Sequence, residues 1–122
     1  HAPYATVFGV IYEPIPPILT EASTGIGGPV RVAAYQTPGT DALAEGALKE
    51  MGNDVCIILA HHGLLAVGPD LEKAFDTTLA VETSARLVIM ARSMGAKVNT
   101  VPQSEIELLR KMYLEYYRPR GV

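Results

Sequence analysis

The sequence has a single cysteine, Cys56, so no disulfide can form within the chain, and a reducing cytoplasm is the expected setting. No apolar run reaches the roughly 18 residues that a membrane-spanning helix needs, so no membrane contact is expected. Basic side chains do not outnumber acidic ones (10 Lys and Arg against 13 Asp and Glu, net charge −3) and form no block, which argues against a nucleic-acid partner. A phosphorylated substrate stays open, because a phosphate needs only local donors. There are no internal repeats or low-complexity tracts. Histidine is scarce as well: the three present stand at positions 1, 61 and 62.

What is present suits a soluble core. Apolar residues make up 48% of the 122, enough for one domain or part of one. Residues 3–12 open with Pro3 and read as a short helix. Pro14, Pro16 and Pro17 interrupt regular structure, and Ser23–Pro29 reads as a glycine-rich loop. Val30–Tyr35 alternates as a strand does. Thr40 is a good N-cap for a helix that carries Leu43, Ala47, Leu48 and Met51 on one face, closed by Gly52-Asn53. Val55–Ala60 is continuously apolar, the pattern of a strand covered on both faces; Leu64–Val67 reads as a second strand. Asp70 caps the longest helix, about Leu71 to Met94, whose stripe runs Leu71, Ala74, Phe75, Thr78, Val81, Ala85, Val88, Ile89, with Gly95 as the stop. Ser104 and Glu107 form a capping-box pattern for a last helix to about Tyr117. Strands alternating with helices indicate an α/β layered domain.

His61 and His62 stand at the end of the apolar strand, where polar rings are costly without partners. On a strand, neighbouring side chains point to opposite faces, so one ring can enter a site while the other turns away. Imidazole is the commonest zinc ligand in proteins, yet such a pair at a strand end is more often structural than metal-binding. From the residues alone the choice is open. A terminal His1 also admits copper binding of the histidine-brace kind, but long helical patterns and one cysteine argue against those disulfide-bearing β-sandwiches. Glu13 and Glu21 are the acids near His1, and both read as solvated or structural.

Several stretches resemble the class II aldolase/adducin family. His1-Ala2-Pro3-Tyr4-Ala5-Thr6 looks like the second half of that family's His-x-His zinc motif, and Ile15-Pro16-Pro17 like the proline-containing segment after it. Gly27-Gly28-Pro29-Val30-Arg31-Val32-Ala33-Ala34-Tyr35-Gln36-Thr37-Pro38-Gly39-Thr40 is similar to the segment entering the helix before the last zinc strand. Leu59-Ala60-His61-His62-Gly63-Leu64-Leu65-Ala66-Val67-Gly68, followed by Asp70-Leu71-Glu72-Lys73-Ala74-Phe75, is similar to that strand and its helix. The pieces occur in family order and cover essentially the whole chain.

The resemblance implies a three-layer α/β fold in which a sheet is flanked by helices, with residues 1–122 as the C-terminal part of one domain. It implies Zn2+ as cofactor, with His1 and His62 as two of three imidazole ligands and His61 as a non-ligand. The chain opens without a Met, and the resemblance places the first histidine, the catalytic Glu and the phosphate-binding loops upstream of His1. It further implies a sugar-phosphate substrate cleaved by an aldolase, a homotetramer with sites between subunits, and Tyr116 as the tail tyrosine that donates a proton, with Tyr113 and Tyr117 as rivals. Thr20 departs from the Tyr that some of the family's aldolases carry. Two other readings stand beside this one. A pentulose-phosphate 4-epimerase is disfavoured because Glu21-Ala22-Ser23-Thr24 contains no Asp and no His follows His62. A zinc-free, adducin-like scaffold is disfavoured because His1 and His62 are both present.

Overall fold

The apolar run at Val55–Ala60 lies at the centre of the molecule because both its faces are covered. In the computed structural model, whose described residues are 1–116, the order is α1 (Pro3–Ile11), α2 (Thr20–Ile26), β1 (Val32–Ala33), α3 (Asp41–Met51), β2 (Cys56–Leu59), β3 (Gly63–Ala66), α4 (Leu71–Ser93) and α5 (Gln103–Tyr116). The sheet has the order β1-β2-β3, with β2 parallel to β1 and antiparallel to β3. Strand alternation divides β2 between two layers. Cys56 and Ile58 pack with Ala5 and Phe8 of α1 and Val81, Ala85 and Val88 of α4. Ile57 packs on the other side with Met51 of α3 and Ala33. An α/β/α sandwich around a small sheet results, the layering that the sequence pattern implies.

Two caps form as their sequences indicate. The Thr40 hydroxyl accepts from the Leu43 N–H at 3.3 Å, and Asp70 accepts from the Lys73 N–H at 2.8 Å. Other expectations give way to tertiary contacts. The expected loop at Ser23–Pro29 is in part helix: α2 runs to Ile26 and ends at Gly27, whose φ of +90° suits a glycine. Its last carbonyls are served from a distance, since Arg110 Nη1 donates to Gly25 O at 2.6 Å and to Thr24 O at 3.4 Å. The expected strand Val30–Tyr35 shrinks to Val32–Ala33 plus a single bridge between Ile15 and Val30. The capping box at Ser104 and Glu107 does not form. The Pro102 carbonyl receives the N–H groups of Glu105 and Ile106, and Glu107 is instead bonded by the Gln103 amide at 3.1 Å.

The first turns of α4 carry another correction. Leu71 is 89% exposed and Phe75 61%, so the buried stripe begins only at Val81 and continues through Ser84, Ala85 and Val88. Leu48 of α3 is likewise exposed, while Ala47 and Met51 face the sheet.

Candidate metal centre

The histidines sit where α1 crosses the turn between β2 and β3, so the placement of α1 decides the geometry. This helix has nine residues and no side-chain N-cap. It is held along α4 instead. At its start, Glu82 Oε1 accepts from the Ala5 N–H at 2.8 Å, satisfying one of the donors that a helix N-terminus leaves over. Beyond its end, Arg92 pairs with Glu13 at 2.9 Å and lies 5.7 Å over the Phe8 ring. Glu82 and Arg92, about 15 Å apart along α4 at 1.5 Å per residue, thus hold the start of α1 and the chain just past its end. Glu13 is thereby an ion-pair partner, as the sequence reading has it. Glu82 is a positioning residue that the sequence reading passed over. Its signal was an acid at helical spacing between Thr78 and Ala85, within the apolar face.

Across from this helix, His61 and His62 are not in a strand. β2 stops at Leu59, and the Leu59 carbonyl accepts from the His62 N–H at 3.0 Å, closing a four-residue turn. His61 is its third residue, with φ +56°, the sign that a type II turn requires there. The two rings diverge because of this turn and not through strand alternation. His62 faces His1, ring centroids 6.1 Å apart and planes tilted by 33°. His61 meets Tyr12 at 5.4 Å and Tyr35 at 6.0 Å, edge to face in both cases. Gly63 is buried directly behind the pair: a Cβ there would lie 3.6 Å from the His1 nitrogen.

His62 Nδ1 is buried and has no hydrogen-bond partner among the described residues. Such an atom ordinarily costs free energy unless a donor, an acceptor or a metal meets it. No group of three or more His, Cys, Asp or Glu side chains that could hold a metal occurs among the described residues, so the structure brings His1 and His62 together as a pair only.

Tyr116 belongs elsewhere. It is 81% exposed at the end of α5, a helix that packs along α2. Tyr113 lies on the same helix with Arg110 stacked over its ring at 5.5 Å, and Tyr117 is outside the described residues. Glu21 borders a cleft of about 610 Å³ between α2, α4 and α5 that includes neither histidine.

Comparison with known proteins identifies the family. The family profile described as Class II Aldolase and Adducin N-terminal domain matches residues 1–89. A 5-methylthioribulose-1-phosphate/5-deoxyribulose-1-phosphate aldolase of Rhodospirillum rubrum is 31% identical over 116 residues, covering 95% of this chain and 52% of that protein. An L-fuculose phosphate aldolase of Escherichia coli is 29% identical over 116 residues, with 95% and 54% covered. A solved L-fuculose 1-phosphate aldolase superposes with a TM-score of 0.84 at 35% identity, covering 90% of this chain and 51% of its own. The chain thus spans about half the length of these relatives. It belongs to the class II aldolase and adducin family.

Proposed function

We propose that the protein of which this chain is part is a metal-dependent aldolase that cleaves a ketose 1-phosphate to dihydroxyacetone phosphate and an aldehyde. The observation that carries the reading is the His1–His62 pair with its unpartnered, buried His62 Nδ1. The relatives' names supply the substrate class, since 5-methylthioribulose, rhamnulose and fuculose 1-phosphates are all ketose 1-phosphates.

The pair fits a divalent ion. With zinc–nitrogen bonds of about 2.0–2.1 Å and a ring nitrogen about 1 Å from its centroid, two rings on one ion have centroids at most about 6.5 Å apart. The observed 6.1 Å lies inside that limit. A third ligand is needed from outside this chain. When bound, the ion supplies a Lewis acid that polarises the ketose carbonyl and stabilises the negative charge left by carbon–carbon cleavage.

The chain's own residues have narrower tasks. His1 and His62 hold the ion from two elements that are fixed to each other. Glu13 is unsuited to proton abstraction because Arg92 holds it, so the base is assigned to a carboxylate outside this chain. Tyr116 is assigned the protonation of the leaving aldehyde's oxygen. In this reading Tyr116 serves the site of a neighbouring subunit, and the protein is a homotetramer of the cytoplasm.

Metal analysis of the complete protein and its His62→Ala variant tests the reading. About one divalent ion per subunit is expected, with most of the affinity lost in the variant. Metal retained in His62→Ala overturns the ligand assignment. Incubation with fuculose 1-phosphate and with ribulose 5-phosphate tests the reaction. Aldehyde release from the first is expected, whereas epimer formation without free aldehyde overturns the aldolase in favour of an epimerase. Silence on both, with no bound metal, overturns it in favour of a scaffold.

A further inference from the structure

We propose that Tyr12, His61 and Tyr35 are positioning residues for the metal pair: their rings clamp the turn between β2 and β3 and so set the direction from which His62 faces His1. This inference rests on the reading of His1 and His62 as ligands. Three segments distant in sequence meet at the clamp. Tyr12 caps the end of α1 with φ +55°, His61 is the turn residue with φ +56°, and Tyr35 follows β1. Two non-glycine residues in the left-handed region touch each other here, and each is a place where surrounding structure has to hold the backbone.

Burial does not account for the cluster. Tyr12 and Tyr35 are each 53% exposed, and His61 is exposed between them. What holds it is direction. The His61 ring meets one tyrosine at 69° and the other at 74°, the edge-to-face arrangement that aromatic quadrupoles favour. The His61 N–H points to the Gly9 carbonyl at 3.4 Å, tying the turn to the last turn of α1. Glycine is the ordinary occupant of this turn position. It would leave the turn free to rock about its two ends. A histidine gripped on both sides prevents that rocking, and because His62 is the next residue, any rotation of the turn swings its ring relative to His1. Partners that orient a ligand without touching the ion matter at about the 10–100-fold level in metal affinity.

The test uses the complete protein, with Zn2+ affinity and the visible d–d spectrum of the Co2+-substituted form as readouts. His61→Gly keeps the positive φ and removes the ring, and a Tyr12→Leu/Tyr35→Leu pair removes the two flanks. Both are expected to weaken Zn2+ binding by about 10–100-fold and to alter the Co2+ bands, while Tyr12→Phe and Tyr35→Phe, which keep the rings, bind as the parent does. Parental affinity and spectrum in His61→Gly, with metal lost in His62→Ala, overturn the clamp and leave the ligand reading standing. A lowered melting temperature of the metal-free variants without any change in affinity or spectrum overturns it too, since that marks a purely structural cluster. Weakened binding in the Phe variants, which preserve the fold, also overturns it, because hydroxyls and not rings would then matter. Metal retained in His62→Ala overturns both readings together.

Discussion

The turn between β2 and β3 and the end of α5 carry the two groups of residues assigned to chemistry, and they are built in opposite ways. The turn is enclosed: α1 crosses it, α4 holds α1 at both ends, and Tyr35 closes it from beyond β1. His61 in this turn is met by Tyr12 and Gly9 at α1 and by Tyr35 beyond β1. At the end of α5, Arg110 bonds α2 and stacks on Tyr113, and beyond it Met112, Leu114 and Tyr116 are all more than half exposed. A residue that binds an ion needs its direction set by neighbouring segments, as the turn that carries His62 is tied to α1. A residue that serves a neighbouring subunit has to be presented outward. The difference gives each region its own expected response to substitution.

The largest effect belongs to the enclosed region. A Cβ on Gly9 would lie 2.9 Å from Ile58 Cγ2 and 3.2 Å from the Leu59 carbonyl oxygen. Both belong to β2, whose backbone has no room to retreat. Gly9→Ala is expected to lift α1 off the sheet, destabilising the fold by about 1–3 kcal/mol and weakening metal binding through the displacement of His1. Urea unfolding and metal titration measure the two effects. An unchanged midpoint and unchanged affinity break the comparison, because α1 would then not be the rigid partner described.

Cys56, on β2, is buried in the core. Burial pushes its thiol up from 9.0 to about 12, Asp54 adds to the rise, and Arg110 of α5 opposes it. The thiol keeps its proton in the fold, so its burial carries no penalty while the unfolded chain is protonated too, below pH 9. Between pH 9 and about 12 the unfolded chain releases the proton and the folded one does not, so stability falls as pH rises, by at most about 1.4 kcal/mol per unit. Tyrosines and lysines titrate in the same range, so the quantity to measure is the difference between the parent and Cys56→Ala. The variant is expected to lose stability less steeply above pH 9. Parallel curves overturn the burial argument.

The enclosed region was also the more legible in sequence, up to a point. The unbroken apolar run, the caps at Thr40 and Asp70 and the proline at the start of α1 are local signals, and each led to the element it predicts. His1 and His62 were picked out by type and by family resemblance. Their mutual placement was not legible, because it depends on Glu82 and Arg92, which lie some eighty residues further along the chain. Strand alternation gave the wrong cause for the divergence of His61 and His62, since the positive φ at His61 comes from the turn and its two tyrosines. The same limit hid α2, whose last turn runs into the glycine-rich stretch and has its carbonyls met by the distant Arg110. Leu71 and Phe75 show the converse: a regular apolar spacing predicts a buried face only where something lies opposite to bury it.

The smallest effect on the fold belongs to Tyr116. At 81% exposure its hydroxyl and ring contribute little to packing, so Tyr116→Phe is expected to change stability by less than about 0.5 kcal/mol. Metal binding is expected to be unchanged, because α5 packs on α2 and not on the histidines' turn. Turnover of the complete protein is another matter. A positioned proton donor is worth about 10²–10⁴-fold in rate, and Tyr116→Phe removes the hydroxyl while leaving the ring. The expected signature is a slower enzyme with parental metal content and parental unfolding midpoint. Turnover equal to the parent's would return Tyr116 to the solvent-exposed surface and leave the donor's role to Tyr113, Tyr117 or water. A loss of metal in this variant would break the comparison from the other side, since the exposed helix end would then be coupled to the enclosed turn.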